Sequence, residues 1–236
     1  MTMTFSGTSA DLSADMHKAL AAYRYRIFIE RLGWSLPVKE GEEEDQFDRP
    51  DTVYVVAQEK DGSLSGCARL LPTTRPYLLG EVFPGLLWGM PIPRSPEVWE
   101  LSRFAAAPLS GGSGMDQAKL TRGLLAAAVR AAFARGAKRL ITVSPLGVER
   151  LLYRMGVHSH RAGPPSMIDG KPVFACWIEL DEQTFAALGI AQPGRDAGQP
   201  EALQTRPAPV GDSDIIFQGA AAPSVVDACV GVAEAG

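Results

Sequence analysis

The chain has 236 residues, 46% hydrophobic and 21% charged, with a net charge of −4 and three cysteines. That length and apolar content suffice for one full-sized core, and the negative charge argues against a general binder of nucleic acid or membrane surfaces. No run of about 18 apolar residues marks a membrane span, and the start MTMTFSGTSADLSAD lacks the basic and apolar regions of a secretory signal, so a cytoplasmic protein is expected. Cys67, Cys176 and Cys229 are far apart and show no C-x-x-C spacing, which fits packed, reduced thiols better than a disulfide framework or a zinc site.

From Asp11 to Leu32, Leu12, Met16, Leu20, Tyr23 and Ile27 recur at steps of three and four before Gly33, the pattern of an amphipathic helix with a glycine stop. The acidic stretch Glu40-Gly41-Glu42-Glu43-Glu44-Asp45-Gln46-Phe47-Asp48 repels itself as a helix and is expected to form an ordered loop or a mobile lid. TVYVVAQ (52–58) and LSGCARLL (64–71), joined by Glu59-Lys60-Asp61-Gly62-Ser63, predict a hairpin. A short helix over 77–88, broken by Pro84, leads through MPIPRSP into the strand-like VWELSRFAA (98–106). After the glycine-rich SGGSG (110–114), helices are expected over 116–135 and 147–155 and strands over 139–144 and 173–180. The alternation predicts an α/β fold with a mixed sheet. One domain is expected over 1–190, with 1–50 partly a mobile lid, before a tail over 191–236 whose composition points to disorder. The apolar patch Ile215-Ile216-Phe217 is a candidate docking segment within that tail.

VWELSRFAA carries Glu100 and Arg103 in an apolar strand, and Arg24, Asp45, Asp48 and Arg69 also lie within otherwise structured segments. An isolated buried charge is prohibitively costly, so these groups must pair with one another or line a wet cleft. A structural ion-pair network and an active site both satisfy that condition. Strand side chains alternate, so Glu100 and Arg103 reach one side of the sheet only if a bulge near Leu101 or Ser102 intervenes. Between Gln117 and Ile168, Lys119, Arg122, Arg130, Arg135, Lys138, Arg139, Arg150, Arg154 and Arg161 face the single acid Glu149. This is either a solvated helix surface or a dock for an acidic partner. His158-Ser159-His160 has no third metal ligand in sight, and its setting HSHRAGPP predicts an exposed turn.

The series Arg24-x-x-x-Phe28, Trp34, Glu44-Asp45-Gln46-Phe47-Asp48, GCARLLPT (66–73) and VWELSRFA (98–105) resembles the LuxI-type acyl-homoserine-lactone synthases of bacterial quorum sensing. The likeness runs over about residues 21–188; the longer tail departs from it. It implies a three-layer α/β/α sandwich with a mixed central sheet, similar to the GCN5-related (GNAT-like) N-acyltransferases. It also implies an acyltransferase that joins S-adenosylmethionine to an acyl group carried on acyl carrier protein, closes the lactone, and releases holo-carrier protein and 5′-methylthioadenosine. A medium chain of about eight carbons is expected, although pockets separate neighbouring chain lengths only weakly. No cofactor or metal is implied, because S-adenosylmethionine is a substrate.

Matched by position, Arg24, Phe28, Trp34, Asp45, Asp48, Arg103 and Phe104 correspond to the S-adenosylmethionine site. Carboxylates would hold the ligand's ammonium, arginine its carboxylate and aromatic faces its sulfonium; Trp34 as ordinary core filling stays open. Arg69 matches an arginine that braces the acidic residues, and Glu100 the family's general base, with Arg103 as its catalytic companion. Burial would raise the Glu100 pKa and the arginines would lower it, so the carboxylate either takes the proton or orients the amine or a water. Leu101, Phe104, Thr142, Val143, Ser144, Leu152 and Trp177 are candidate acyl-pocket walls, and Arg135, Lys138, Arg139, Arg150 and Arg154 candidate contacts for the acidic carrier protein, a transient partner. A coenzyme A-dependent N-acyltransferase of the same fold and a catalytically silent binding protein on the same scaffold are the alternatives. SGGSG lacks the phosphate-cradling pattern of the coenzyme A enzymes and is expected to be a flexible connection.

Overall fold

The structure, a computed structural model, describes residues 2–36, 38–108 and 114–191 and the backbone of 216–217. In chain order it contains β1 (Met3–Thr8), α1 (Ala14–Arg24), β2 (Val38–Lys39), β3 (Glu42–Glu43), β4 (Val53–Gln58), β5 (Leu64–Pro72), α2 (Leu78–Val82) and β6 (Val98–Ala106). It continues with α3 (Gly114–Phe133), β7 (Arg139–Pro145), α4 (Leu146–Met155), β8 (Ser159–Arg161), β9 (Ser166–Ile168), β10 (Lys171–Glu179), α5 (Glu182–Leu188) and β11 (Ile216–Phe217). The main sheet runs β1-β4-β5-β6-β7-β10-β8, and among the described residues only β6 and β7 pair in parallel. Two helical layers cover it, giving a three-layer α/β/α sandwich of the GNAT-like type. Leu124, Leu125, Ala128 and Val129 of α3 pack on Leu70, Leu101, Phe104 and Leu140 of one sheet face, joined by Val148 and Leu152 of α4 and Phe185 and Leu188 of α5. The other face receives Leu20, Tyr23, Ile27 and Phe28 against Tyr54, Val56 and Cys67, and the α2 region against Leu71, Ile141 and Val143. Each fully buried Leu, Phe or Val contributes about 1.5–3 kcal/mol relative to leaving it exposed. Gly66 keeps α3 close to the sheet, because a Cβ there would stand 3.1 Å from the Ala105 carbonyl oxygen and from a Leu124 methyl.

The first helix is shorter and less regular than its apolar period indicates. It starts where Ser13 Oγ accepts the Met16 N–H at 3.2 Å, and over Tyr25–Arg31 it widens into a π-helical turn. Such turns cluster at functional sites, and no hydrophobic period encodes one. The strand β1 and the helix α5 were not expected. The first alternates only over Met3–Ser6 before Gly7 and is held through its backbone pairing with β4. The second carries a recognisable cap, in which Asp181 accepts the Thr184 N–H at 3.0 Å. The acidic stretch holds the small β2/β3 hairpin, and HSHRAGPP contributes the strand β8 rather than a turn. His158 Nδ1 lies 2.5 Å from Asp181 and His160 3.8 Å from Glu179, and no group of three metal-ligating side chains occurs among the described residues. Among them, no helix is long and apolar enough to cross a membrane. Cys67 and Cys176 are free and buried, and burial pushes both thiols up to about 12. Cys229, most of SGGSG and the tail apart from Ile216–Phe217 lie outside the described residues.

Candidate active site

Strand β6 is the spine of the site. Its pairing with β5 shifts register between Cys67↔Ala105 and Arg69↔Ser102, so β6 carries one extra residue there, and Arg103 sits at φ 49°. This is the expected bulge, displaced one residue toward the C-terminus. Leu101, Phe104 and Ala106 consequently face α3, while Glu100, Ser102, Arg103 and Ala105 turn to the other side. The left-handed conformation costs a non-glycine residue about 1–2 kcal/mol, a strain kept where surrounding contacts over-determine it.

Those contacts form a closed cluster of three arginines and three carboxylates. Arg24 Nε donates to Glu43 at 2.6 Å, and its Nη1 and Nη2 form a fork on Asp48 at 2.8 and 2.9 Å. Arg103 Nη2 donates to Glu43 and to Asp45, each at 2.9 Å. Arg69 Nη1 reaches Asp45 at 2.6 Å and Asp48 at 2.9 Å, its Nε reaches Ser102 Oγ at 3.1 Å, and Tyr54 OH donates to Asp48 at 2.6 Å. Burial alone would raise the acids, but Arg24 and Arg103 hold Glu43 down at about 2, and Arg24 and Arg69 hold Asp48 well below the usual carboxylate range. Forked, charge-assisted bonds of this kind are the geometry in which buried ions repay desolvation. Arg69 Nη2 is buried and makes no hydrogen bond among the described residues. Phe28 and Trp34 stack with centroids 4.7 Å apart, fixed by a 2.9 Å bond from the Trp34 N–H to the Phe28 carbonyl.

Glu100 stands apart from this cluster. It is fully buried, and its two oxygens accept the N–H groups of Leu78 at 2.9 Å and Leu79 at 2.6 Å. Burial raises its pKa to about 7, against the opposing pull of those N–H groups and of Arg69. The balance of burial and arginine attraction that the sequence left open thus falls to burial.

The structure gathers Arg24, Phe28, Trp34, Asp45, Asp48, Arg69, Glu100 and Arg103 on one side of the sheet, but redistributes their partners. Asp45 and Asp48, expected to meet a ligand's ammonium, are engaged by arginines, and Arg24 and Arg103, among the arginines expected at a ligand's carboxylate, are engaged by Glu43, Asp45 and Asp48. The faces of Phe28 and Trp34 look onto the Arg103 guanidinium, 5.6 and 5.5 Å from the two ring centres. Phe104 is not brought to this side; it lies in the α3 core with Leu101 and Leu152. Thr142 and Ser144 alternate with Val143 along β7 and share that α3-facing side, whereas Val143 and Trp177 face the other way. Glu43 and Tyr54 were missed.

The expected carrier-binding residues are scattered in role. Lys138 pairs with Glu97 at 2.5 Å; Arg139 pairs with Glu179 at 2.9 Å and lies 5.0 Å over the Trp177 ring. Arg135 donates to the Ala131 carbonyl at 2.8 Å, while Arg150 and Arg154 stand exposed on α4.

Strands β6 and β7 pair only over Val98–Glu100 and Arg139–Ile141 and then separate, although each continues toward its C-terminal end. A mixed sheet opened beside a buried carboxylate, between two helical layers, is a fold shared with an acyl-CoA N-acyltransferase of Pseudomonas aeruginosa, at 18% identity and TM-score 0.50. The comparisons make the class narrower. The family model for autoinducer synthases matches residues 9–188, and a curated acyl-homoserine-lactone synthase of Ralstonia solanacearum is 53% identical over 200 residues, covering 81% of this chain and 97% of the relative. The chain belongs to the autoinducer synthase family. A crystal structure of TofI in ternary complex with an inhibitor and MTA matches at 52% identity and TM-score 0.72, over 80% of this chain and 97% of that one. BjaI, a CoA-dependent acyl-homoserine lactone synthase solved with SAM and isopentyl-CoA, matches at 25% identity and TM-score 0.72, over 81% and 92%.

Proposed function

We propose that this protein makes an N-acyl-L-homoserine lactone from S-adenosylmethionine and a medium-chain acyl thioester carried on acyl carrier protein. The observation that carries the reading is Glu100: a buried carboxyl raised to about 7, at the point where β6 and β7 part. The amine of S-adenosylmethionine must lose a proton before it attacks the thioester carbonyl, and a base with a pKa near the working pH is suited to accept it. The attack forms the amide bond and expels the carrier thiol. The substrate carboxylate then displaces 5′-methylthioadenosine from its own γ-carbon, a step that needs positioning rather than further catalysis because the sulfonium is already a good leaving group.

Within the site, Arg69 Nη2 is a donor available to a substrate carboxylate, and Asp45, at 17% the most exposed carboxylate of the cluster, is the group most readily shared with a ligand. The rings of Phe28 and Trp34, already facing one cation, are suited to a second if Arg103 shifts. The opening between β6 and β7 supports a path for the acyl chain from Glu100 through the sheet toward Leu101, Phe104, Thr142, Ser144 and Leu152, with Val143 and Trp177 at its near mouth. Backbone N–H groups of β6 beyond the end of its pairing with β7 are suited to stabilise the oxyanion once no other strand takes them. An acidic carrier is favoured by Arg150 and Arg154 on the exposed face of α4; coenzyme A thioesters are the second reading, favoured by the likeness to CoA-dependent BjaI. The test is mass spectrometry of solvent extracts from expressing cells, followed by purified assays with octanoyl-acyl carrier protein and octanoyl-coenzyme A. An acyl-homoserine lactone formed faster from the carrier is the expected result, and absence of any lactone from soluble protein would sink the reading.

A further inference from the structure

The edge of β6 that leaves β7 is not bare. A strand has two edges, and at Ala105 and Ala106 one of them belongs to β5, through Cys67↔Ala105 and Gly66↔Ala106. Antiparallel pairing of Ile216 with Ala105 and of Phe217 with Phe104 must therefore use the other edge, the one facing β7. The parallel pairing of β6 with β7 has ended several residues earlier, at Glu100–Ile141, and β11 also approaches β7. The C-terminal extension thus places a short piece of strand in the gap between the two splayed strands.

We propose that Ile216–Phe217 is a built-in strap that competes with the acyl donor for the β6 edge. The inference rests on the reading of the β6/β7 opening as the acyl-donor slot. A thioester donor, whether on a carrier protein or on coenzyme A, ends in a thiol-bearing arm with two amide groups, and such an arm laid along β6 needs the backbone N–H and C=O groups that Ile216–Phe217 pairs with. Peptide and arm cannot both use them. The pairing described spans two residues, against about five or six for an ordinary strand, and a contact of that size is weak enough to be displaced. It is nevertheless present at the high effective concentration that tethering confers. Acyl-donor binding therefore requires strap release, while binding of the second substrate on the Glu43 side of the sheet does not.

The experiment compares the full chain with the full-chain double variant Ile216→Pro/Phe217→Pro, which removes both N–H groups and disfavours strand geometry without touching the catalytic cluster. Amide hydrogen exchange over residues 103–107 is expected to rise in the variant, and KM for octanoyl-acyl carrier protein and for octanoyl-coenzyme A to fall by roughly three- to tenfold. The rate constant kcat and KM for S-adenosylmethionine are expected to stay unchanged. Equal exchange in the two proteins overturns the strap whatever the activity. Raised exchange with an unchanged KM for both acyl donors overturns the competition. If neither protein makes a lactone, the synthase reading has failed, and the exchange difference still decides whether the strap is seated.

Discussion

Two glutamates less than sixty residues apart in sequence, both buried, titrate in opposite directions. Glu43 is held at about 2 by Arg24 and Arg103, whereas Glu100, facing backbone N–H groups and farther from the guanidiniums, rises with burial to about 7. The folded state favours ionised Glu43, so its contribution to stability is full above its usual 4.5 and is lost as pH falls toward 2. For Glu100 the sign reverses: the folded state favours the neutral carboxyl, and that contribution fades as pH rises from 4.5 through about 7. With Glu100 as the proposed base, activity should move the opposite way, because only its ionised form accepts a proton. The rate at saturating substrate should climb through about pH 7 and level off above it, and Glu100→Gln should lower kcat by roughly 10²–10⁴-fold and abolish that pH step. A stopped-time lactone assay across pH reads both effects. Glu43→Gln should instead cost stability, about 3–5 kcal/mol by urea unfolding, because it leaves two buried guanidiniums short of a counter-charge. Of the two, only Glu100 could be singled out from the sequence, since Glu43 stands in a run of acids whose members differ only in what the fold packs against them.

At the scale of elements, the bulge in β6 decides which side chains meet. Without it, Arg103 would point with Leu101 into α3 and Glu43 would keep only Arg24 of its two cations. The bulge also gives a test that inverts an ordinary rule. In a regular strand, alanine is better than glycine by roughly 0.5–1 kcal/mol. At φ 49° the order should turn over, with Arg103→Gly more stable than Arg103→Ala by about 1 kcal/mol although both lose the same ion pairs. Thermal or urea unfolding of the two variants checks it, and alanine proving the better residue would mean that the strand is regular. That a bulge was needed followed from the alternation rule and two charges three residues apart. Its place at Arg103 did not, because it depends on where β5 closes its hydrogen bonds. The π-helical turn after α1 was likewise invisible, since both helix types share the apolar face that carries Tyr23 and Ile27.

Across the whole molecule, charge is segregated: acids are drawn to the arginine cluster on one side of the sheet, and α4 exposes Arg150 and Arg154 on the other. If that face meets an acidic carrier, Arg150→Glu/Arg154→Glu should raise KM for octanoyl-acyl carrier protein about tenfold or more and flatten its salt dependence, while KM for octanoyl-coenzyme A changes little. Steady-state assays at two ionic strengths separate the two donors. The α/β alternation, the β4/β5 hairpin and every charge of the buried cluster except Glu43 were legible in the sequence, because apolar period, turn residues and isolated charges are local signals and their cost of burial is general; the three-layer arrangement was implied only by the family resemblance. Only the tertiary structure decided which carboxylate each arginine takes, that Phe104 leaves the site for the α3 core, and that the tail returns to the edge of β6. Pairing partners, strand edges and the local dielectric are set by groups far apart along the chain, and no periodicity in the sequence records them.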